Sequence, residues 1–140
     1  MTRLGSSLDA WLSGKNPPPI AQFLGMEMRS CALGQSELAM LVEAKHHNPM
    51  GTVHGGILCD LADAAMGTAV ASRLEADETF TTAELGARFL ESMVEGVVTA
   101  RARVIRKGKT AVFVECELTD EGGRPVARFD STCLIRHART

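Results

Sequence analysis

The sequence carries no excess of basic residues. Its 15 lysines and arginines are outnumbered by 17 aspartates and glutamates, so the formal net charge is −2. Nonspecific binding to nucleic acid requires a positive field that neutralises backbone phosphates. The charge balance therefore argues against a nucleic acid partner.

Paired cysteines and long apolar runs are also missing. The four cysteines are widely spaced without a C-x-x-C pair, and neither His46 nor His47 has a cysteine or an acid pair near it at metal-binding spacing. We therefore expect buried free thiols and no metal site. No apolar run reaches the roughly 18 residues that span a bilayer, and the N-terminal segment has none long enough for a signal peptide. We expect a cytoplasmic protein with no membrane partner.

The chain does have the composition of an ordinary globular protein. It has 140 residues, of which 45% are hydrophobic and 23% charged. At about 150 residues per domain, this is enough for one domain with a substantial core. Three prolines, Pro17-Pro18-Pro19, follow a weakly patterned segment. We interpret residues 1–19 as an N-terminal arm and residues 20–140 as the domain.

Hydrophobic periodicity predicts an α+β domain. A short helix over residues 20–24 should end at Gly25, and a hairpin should join strands over residues 26–32 and 36–44. The longest helical pattern covers residues 53–74. Its apolar stripe consists of Leu58, Leu61, Ala62, Ala65 and Ala69.

Four more strands are predicted between residues 79 and 136. Turn formers separate them at Glu95-Gly96, at Lys107-Gly108-Lys109 and over residues 121–125. Each turn is short enough for a hairpin of an antiparallel meander. One face of such a sheet is free to wrap the long helix.

The loop from His47 to Gly56 runs directly into the long helix. A helix start combines unpaired backbone N–H groups with the positive end of the helix dipole, so it can stabilise a carbonyl oxygen as negative charge develops. Gly55 and Gly56 would let a substrate approach the backbone, but they could equally serve only to pack the helix against the sheet.

Two acids, Asp60 and Asp63, share one face of this helix, where the later positions Gly67 and Ala71 are small. Asp63 follows His54 by about two and a half turns, which is too far for it to cap the helix start. A carboxylate at this place is either solvated or buried and reactive. The residues alone leave both interpretations open.

A cluster of basic residues lies near one predicted hairpin. It is either a solvated face or a contact for the phosphates of a nucleotide-bearing substrate. The cluster comprises Arg101, Arg103, Arg106, Lys107 and Lys109.

The sequence contains no Walker loop, G-x-S-x-G elbow or dinucleotide fingerprint.

The pattern Asn48-x5-His54-Gly55-Gly56-x4-Leu61-Ala62-Asp63 resembles the hotdog-fold acyl-CoA thioesterases, in particular the phenylacetic-acid-degradation and 4-hydroxybenzoyl-CoA branch. Later stretches are similar as well, so the resemblance covers about residues 20–136. It implies a hotdog fold, in which a curved antiparallel sheet of about six strands wraps a long central helix. It also implies homodimers with joined sheets, two of which can form a tetramer.

The same resemblance implies hydrolysis of a small aromatic or medium-chain acyl-CoA to free acid and CoA, without a metal or cofactor. The Gly55 N–H would polarise the thioester carbonyl, His54 would hold the loop, and Asn48 would position the carbonyl or the water. Asp63 of the partner subunit would be the nucleophile or general base, and Thr82 would help to orient the water. The predicted substrate-binding residues are Gly56, Met66, Phe89, Arg106, Lys107 and Lys109.

Two other functions stay open. A hotdog-fold dehydratase or hydratase would use a histidine and an acid to move protons about a carbon–carbon bond, but the Gly-Asp expected before Asn-Pro is replaced here by His46-His47. A noncatalytic acyl-CoA-binding module would be recognised most simply by loss of the carboxylate, and Asp63 is present. Only the site residues can discriminate among the three, because a fold alone does not fix function.

Overall fold

A six-stranded antiparallel sheet curves around one long helix in the computed structural model, which describes residues 3–138. This arrangement confirms the predicted α+β hotdog fold. The helices are α1 (Arg3–Leu12), α2 (Pro19–Leu24) and α3 (Gly55–Ala71), and a single 3-10 turn covers Ala44–His46. The strands are β1 (Met26–Ala32), β2 (Gln35–Val42), β3 (Glu78–Phe89), β4 (Gly96–Lys107), β5 (Ala111–Thr119) and β6 (Pro125–His137).

The strand order in the sheet is β1-β2-β4-β5-β6-β3. The predicted meander is correct for β4, β5 and β6 but wrong for the turn at Glu95-Gly96, because β5 and β6 lie between β3 and β4. Turn residues specify where the chain reverses, whereas the neighbour of a strand is decided by pairing across the sheet. β3 therefore forms an edge, with β6 as its hydrogen-bonded neighbour.

The first hairpin follows the sequence prediction closely. Leu33 and Gly34 connect β1 to β2 with positive φ angles of 54° and 80°. Two consecutive residues in this region match the type I′ turn that suits the twist of paired strands. The short helix α2 also ends as predicted, because Gly25 adopts a left-handed conformation and its N–H donates to the carbonyl of Ala21.

The segment interpreted as an arm contains a helix. α1 packs against α3 and β1, and its Trp11 is only 8% exposed. Leu4, Leu8, Trp11 and Leu12 recur at helical spacing, a signal that the interpretation as an arm overlooked. The N-terminal segment therefore contributes to the hydrophobic core.

The core forms where α3 faces the sheet. All five residues of the predicted apolar stripe are buried there, together with Met66 and Val70. Burial of a side chain such as Leu61 contributes about 2 kcal/mol to the free energy of unfolding, and the alanines let the sheet approach the helix closely. α3 itself is shorter than predicted, since it begins at Gly55 and ends at Ala71.

The four cysteines are free thiols, as predicted, but only two are buried. Cys116 and Cys133 lie in the core, whereas Cys31 and Cys59 are partly exposed. Desolvation, reinforced by the charge of Glu117, raises the pKa of Cys116 to about 12. Among the described residues, no helix combines the length and apolar character needed to cross a membrane.

Candidate active site

His46 organises the loop that leads into α3. Its side chain is buried, with Nδ1 accepting a hydrogen bond from the Glu43 N–H at 2.9 Å and Nε2 bonded to the Leu24 carbonyl at 2.9 Å. These partners require a neutral ring with its proton on Nε2. The His46 carbonyl also accepts a hydrogen bond from the backbone N–H of His54 at 2.8 Å. His46 thus positions the residue that caps α3, a role that the sequence analysis missed.

Asn48 holds the next part of the loop together. Its side-chain oxygen accepts hydrogen bonds from the N–H groups of Met50 (2.9 Å) and Thr52 (3.2 Å), while its amide nitrogen donates to the Thr52 hydroxyl at 2.9 Å. The loop is fastened to the segment before β4, because the Val53 N–H donates to the Met93 carbonyl at 2.8 Å. In the protomer, Asn48 therefore builds the loop, and its contact with a substrate stays a prediction.

His54 is the N-cap of α3. Its Nδ1 accepts a hydrogen bond from the Gly56 N–H at 2.9 Å, so the ring satisfies one of the free donors of the first turn. A Cβ at Gly56 would lie 3.0 Å from this Nδ1, so the glycine leaves room for the ring. This contact fixes the His54 ring against the first turn of α3, and its role in catalysis stays a prediction.

Gly55 begins the helix, and its N–H donates to no acceptor within residues 3–138. A Cβ at this position would lie 3.0 Å from the ring of Phe89, which itself packs edge-on against Phe129 with a centroid distance of 6.0 Å. Gly55 therefore permits close packing and also leaves a free donor at the positive end of α3. It lines a cavity of about 350 Å³ together with Phe89 and Met93.

Asp60 and Asp63 lie on a different face of α3, beside a second cavity of about 500 Å³. Neither carboxylate forms an ion pair with a basic side chain of the described chain. Desolvation raises the pKa of Asp63, and the nearby charge of Asp60 raises it further. Desolvation also raises the pKa of Asp60. Asp63 remains accessible to solvent, so it combines enhanced basicity with access to a ligand.

Thr82 lies on the face of β3 that is turned towards α3. It is paired with Cys133 of β6, and its Oγ1 lies 3.8 Å from the Cys133 sulfur. Phe80, two residues earlier on the same face, lines the cavity beside Asp63. The strand thus presents Thr82 on the same side of the sheet as Asp63.

Met66 does not lie where the sequence analysis expected a lining residue. It is 1% exposed and belongs to the core stripe that faces the sheet, while Gly67 lines the cavity beside Asp63. One residue corresponds to 100° around a helix, so a small error in assigning the face moves a side chain from the cavity to the core. Phe89, by contrast, lines the cavity beside Gly55.

The predicted basic cluster is divided among several partners. Arg101 and Arg103 form ion pairs with glutamates on neighbouring strands, and Lys107 donates to Glu78 Oε1 at 2.7 Å in a largely buried pair. Lys107 and Lys109 line a cavity with Arg73, just beyond the C-terminal end of α3. Within one protomer, Lys107 and Lys109 therefore lie at the opposite end of α3 from Gly55.

Gly55 and Asp63 are too far apart in one chain to act on the same atom. Eight residues correspond to about 12 Å along a helix axis and to roughly 80° around it. The two residues also line separate cavities. A thioester carbon held at the Gly55 N–H is therefore beyond the reach of Asp63 in the same protomer.

Comparison with known proteins decides the family. The sequence profile described as "Thioesterase superfamily" matches residues 50–127, which include the α3 start and Asp63. The chain belongs to the thioesterase superfamily. The predicted enzyme class, a thioester hydrolase, is thereby confirmed together with the resemblance to hotdog thioesterases.

Relatives in this superfamily match most of the chain. The 1,4-dihydroxy-2-naphthoyl-CoA hydrolase of Listeria monocytogenes is 34% identical over 86% of this chain and 98% of its own length. The structure of a phenylacetic acid degradation-related protein from Ralstonia eutropha has a TM-score of 0.83 and 30% identity, covering 91% of this chain and 98% of that one. The Escherichia coli PaaI protein, at 24% identity, supports the fold with a TM-score of 0.81 over 98% of this chain and 94% of that one.

Proposed function

We propose that this superfamily member is an acyl-CoA thioesterase that hydrolyses a small aromatic or medium-chain acyl-CoA to the free acid and CoA. The observation that carries the proposal is Asp63, a solvent-accessible carboxylate beside an apolar cavity, with a raised pKa and no paired cation among residues 3–138. The name of the Listeria hydrolase supports a CoA thioester with an aromatic acyl group. The chemistry requires no metal or cofactor.

The first element of the mechanism is the free N–H of Gly55. During attack on a thioester, negative charge develops on the carbonyl oxygen, and a fixed backbone donor at a helix start stabilises that charge. His54 and His46 hold this donor in place through the capping contacts described above. Asn48 keeps the loop closed, and Gly56 leaves space for the capping ring.

The second element is the Asp63 carboxylate. It either attacks the carbonyl carbon, so that water later hydrolyses the acyl-enzyme anhydride, or removes a proton from the attacking water. Both routes expel the CoA thiolate, which takes up a proton, and both consume one water molecule. A raised pKa makes the carboxylate a better base and nucleophile. Thr82 is a candidate for orienting the water.

The active unit in this proposal is a homodimer, which two copies can extend to a tetramer. Because Gly55 and Asp63 are about 12 Å apart along one helix, the carboxylate at each Gly55 is Asp63 of the partner subunit. Exposure of the edge strand β3 over residues 81–84 supports this arrangement, since a second copy can pair with it there. Phe89 would then contact the acyl chain, and Arg106, Lys107 and Lys109 remain candidates for contacting CoA phosphates.

Release of free CoA from benzoyl-CoA and octanoyl-CoA, followed with a thiol reagent, tests this function. We expect the wild type to hydrolyse at least one of them, and Asp63→Asn and Asp63→Ala to reduce kcat/KM at least about a hundredfold. Asp60→Asn is a matched control on the same helix face and should stay within tenfold of the wild type. Thioester hydrolysis that persists in both Asp63 variants would contradict the proposed role of Asp63. A wild type that binds acyl-CoA but hydrolyses none would favour the hydratase or the binding module.

A further inference from the structure

We infer that α1 and the proline segment cover the acyl group, and that Trp11 is a specificity-determining residue that favours flat, uncharged acyl groups. This inference rests on the proposed function, in which the thioester carbonyl lies at Asp63. The acyl group then extends from that carbonyl into the cavity beside Asp63, while Phe89 of the partner subunit contacts its carbonyl end. The cavity of about 500 Å³ lies within the range of small-molecule sites.

The cavity has a floor of small residues and a roof of rigid ones. α3 contributes the floor beside Asp63, where Ala64, Gly67 and Ala71 leave the helix surface low. The roof comprises Trp11 of α1 and the segment Pro17-Pro18-Pro19. Proline residues have little conformational entropy to lose when a ligand binds, so this roof is preorganised.

Aromatic rings define two of the cavity walls. Trp11 lies in the roof, and the Phe80 ring approaches the α3 floor, with its Cζ 3.5 Å from the position of a Cβ on Gly67. Flat aromatic surfaces favour stacked or edge-on contact with another ring over contact with a flexible chain. The cavity therefore fits a planar acyl group better than an extended one of the same volume.

The charge of the cavity is a second determinant of which acyl groups bind. Asp60 and Asp63 both line the cavity, while none of the described residues around it is lysine or arginine. An acyl group with a terminal carboxylate would bring a third negative charge into this space without a cation to balance it. The cavity should therefore exclude dicarboxylic acyl groups.

Trp11 also provides a direct readout, because it is the only tryptophan and the chain contains no tyrosine. We would titrate the wild type with S-benzyl-CoA, a thioether that cannot be hydrolysed, and compare it with S-(2-carboxyethyl)-CoA and with CoA alone. S-benzyl-CoA should change the Trp11 emission saturably, whereas the other two should leave it nearly unchanged. Tight binding of S-benzyl-CoA without an emission change would overturn the inference.

Kinetics of Trp11 variants give the second test. We expect Trp11→Ala to raise KM for benzoyl-CoA about tenfold with a smaller effect on kcat, and to narrow the preference for benzoyl-CoA over octanoyl-CoA. Trp11→Phe keeps a flat wall and should restore KM to within about threefold. Phe23→Ala is the matched control, since Phe23 is 74% exposed and outside the cavity.

The two proposals fail in distinguishable ways. A wild type that binds S-benzyl-CoA with a Trp11 signal but hydrolyses no thioester would reject the proposed function and keep the binding site. A wild type that hydrolyses benzoyl-CoA, with Trp11→Ala folded and unchanged in KM and preference, would reject the role of Trp11 alone. Thermal melts of each variant establish that it is folded.

Discussion

Two carboxylate sites in this protein have opposite surroundings. Glu78, on β3, is buried and accepts hydrogen bonds from Lys107 and from the backbone N–H of Glu75, and these contacts lower its pKa. Asp63, on α3, has no such donor in the described chain, and desolvation followed by the charge of Asp60 raises its pKa. The fold thus stabilises the ionised form at one site and leaves it unstabilised at the other. That difference supports the proposal that Asp63 is reactive, whereas Glu78 is structural.

The opposite shifts have opposite effects on stability. Because the pKa of Glu78 is lowered by folding, its ionised form stabilises the protein above the unfolded pKa, and this contribution is lost as pH falls through the folded pKa. Because the pKa of Asp63 is raised by folding, stability decreases as pH rises from the unfolded pKa through the folded one. Near neutral pH, the ion pair between Glu78 and Lys107 therefore stabilises the folded state, whereas ionised Asp63 lowers its stability.

The largest expected effect comes from breaking the structural pair. Glu78→Gln should lower the free energy of unfolding by about 3 kcal/mol at pH 7, because it leaves the Lys107 ammonium largely buried without its counter-charge. Urea unfolding measures this loss. The double variant Glu78→Gln/Lys107→Met should recover most of it. A double variant that is less stable than Glu78→Gln alone would show that the unpaired Lys107 charge does not cause the loss of stability.

A smaller effect is expected from altering the proposed catalytic site. Asp60→Asn removes the negative charge that helps to raise the pKa of Asp63, so the acid limb of the kcat/KM profile should move to lower pH by less than about one unit. The limb itself should rise with pH, because Asp63 acts in its ionised form. The measurement is kcat/KM for benzoyl-CoA between pH 4 and 8. A limb that stays in place or moves upward would contradict the coupling between the two acids.

The smallest effect is expected for stability at Asp63. Asp63→Asn removes a charge that opposes folding near neutral pH, so its melting temperature at pH 7 should equal or slightly exceed that of the wild type. The difference should shrink as pH falls and wild-type Asp63 becomes protonated. Melting curves at several pH values test this. A destabilisation comparable to that of Glu78→Gln would mean that Asp63 is structural after all.

Much of the fold was predictable because it depends on local periodicity. The apolar stripe of α3 follows from residue spacing, and the hairpin between β1 and β2 follows from two strand patterns separated by a turn that contains Gly34. The edge position of β3 was not predictable, since turn residues do not identify the strand's neighbour. The helical conformation of α1 was missed although Leu4, Leu8, Trp11 and Leu12 have helical spacing, because the three prolines that follow indicate an extended arm.

The candidate site was predictable in part for the same reason. The shared face of Asp60 and Asp63 follows from their spacing along one helix, whereas the proposed roles of Asp63 and His54 came from the family resemblance. The pairing of Lys107 with Glu78 was not foreseen, because the two residues are 29 positions apart and meet only in the folded chain. His46 was also missed, since its partners at Glu43 and Leu24 are backbone groups that carry no sequence signal.

The exposed edge strand β3 is also a point at which a single protomer can aggregate. β3 is 12 residues long, and the free backbone groups on its outer edge form a template to which any extended chain can add. In the proposed homodimer, a partner copy paired along β3 would cover this template. Under that proposal, dilution that separates the subunits would expose the edge and favour aggregation.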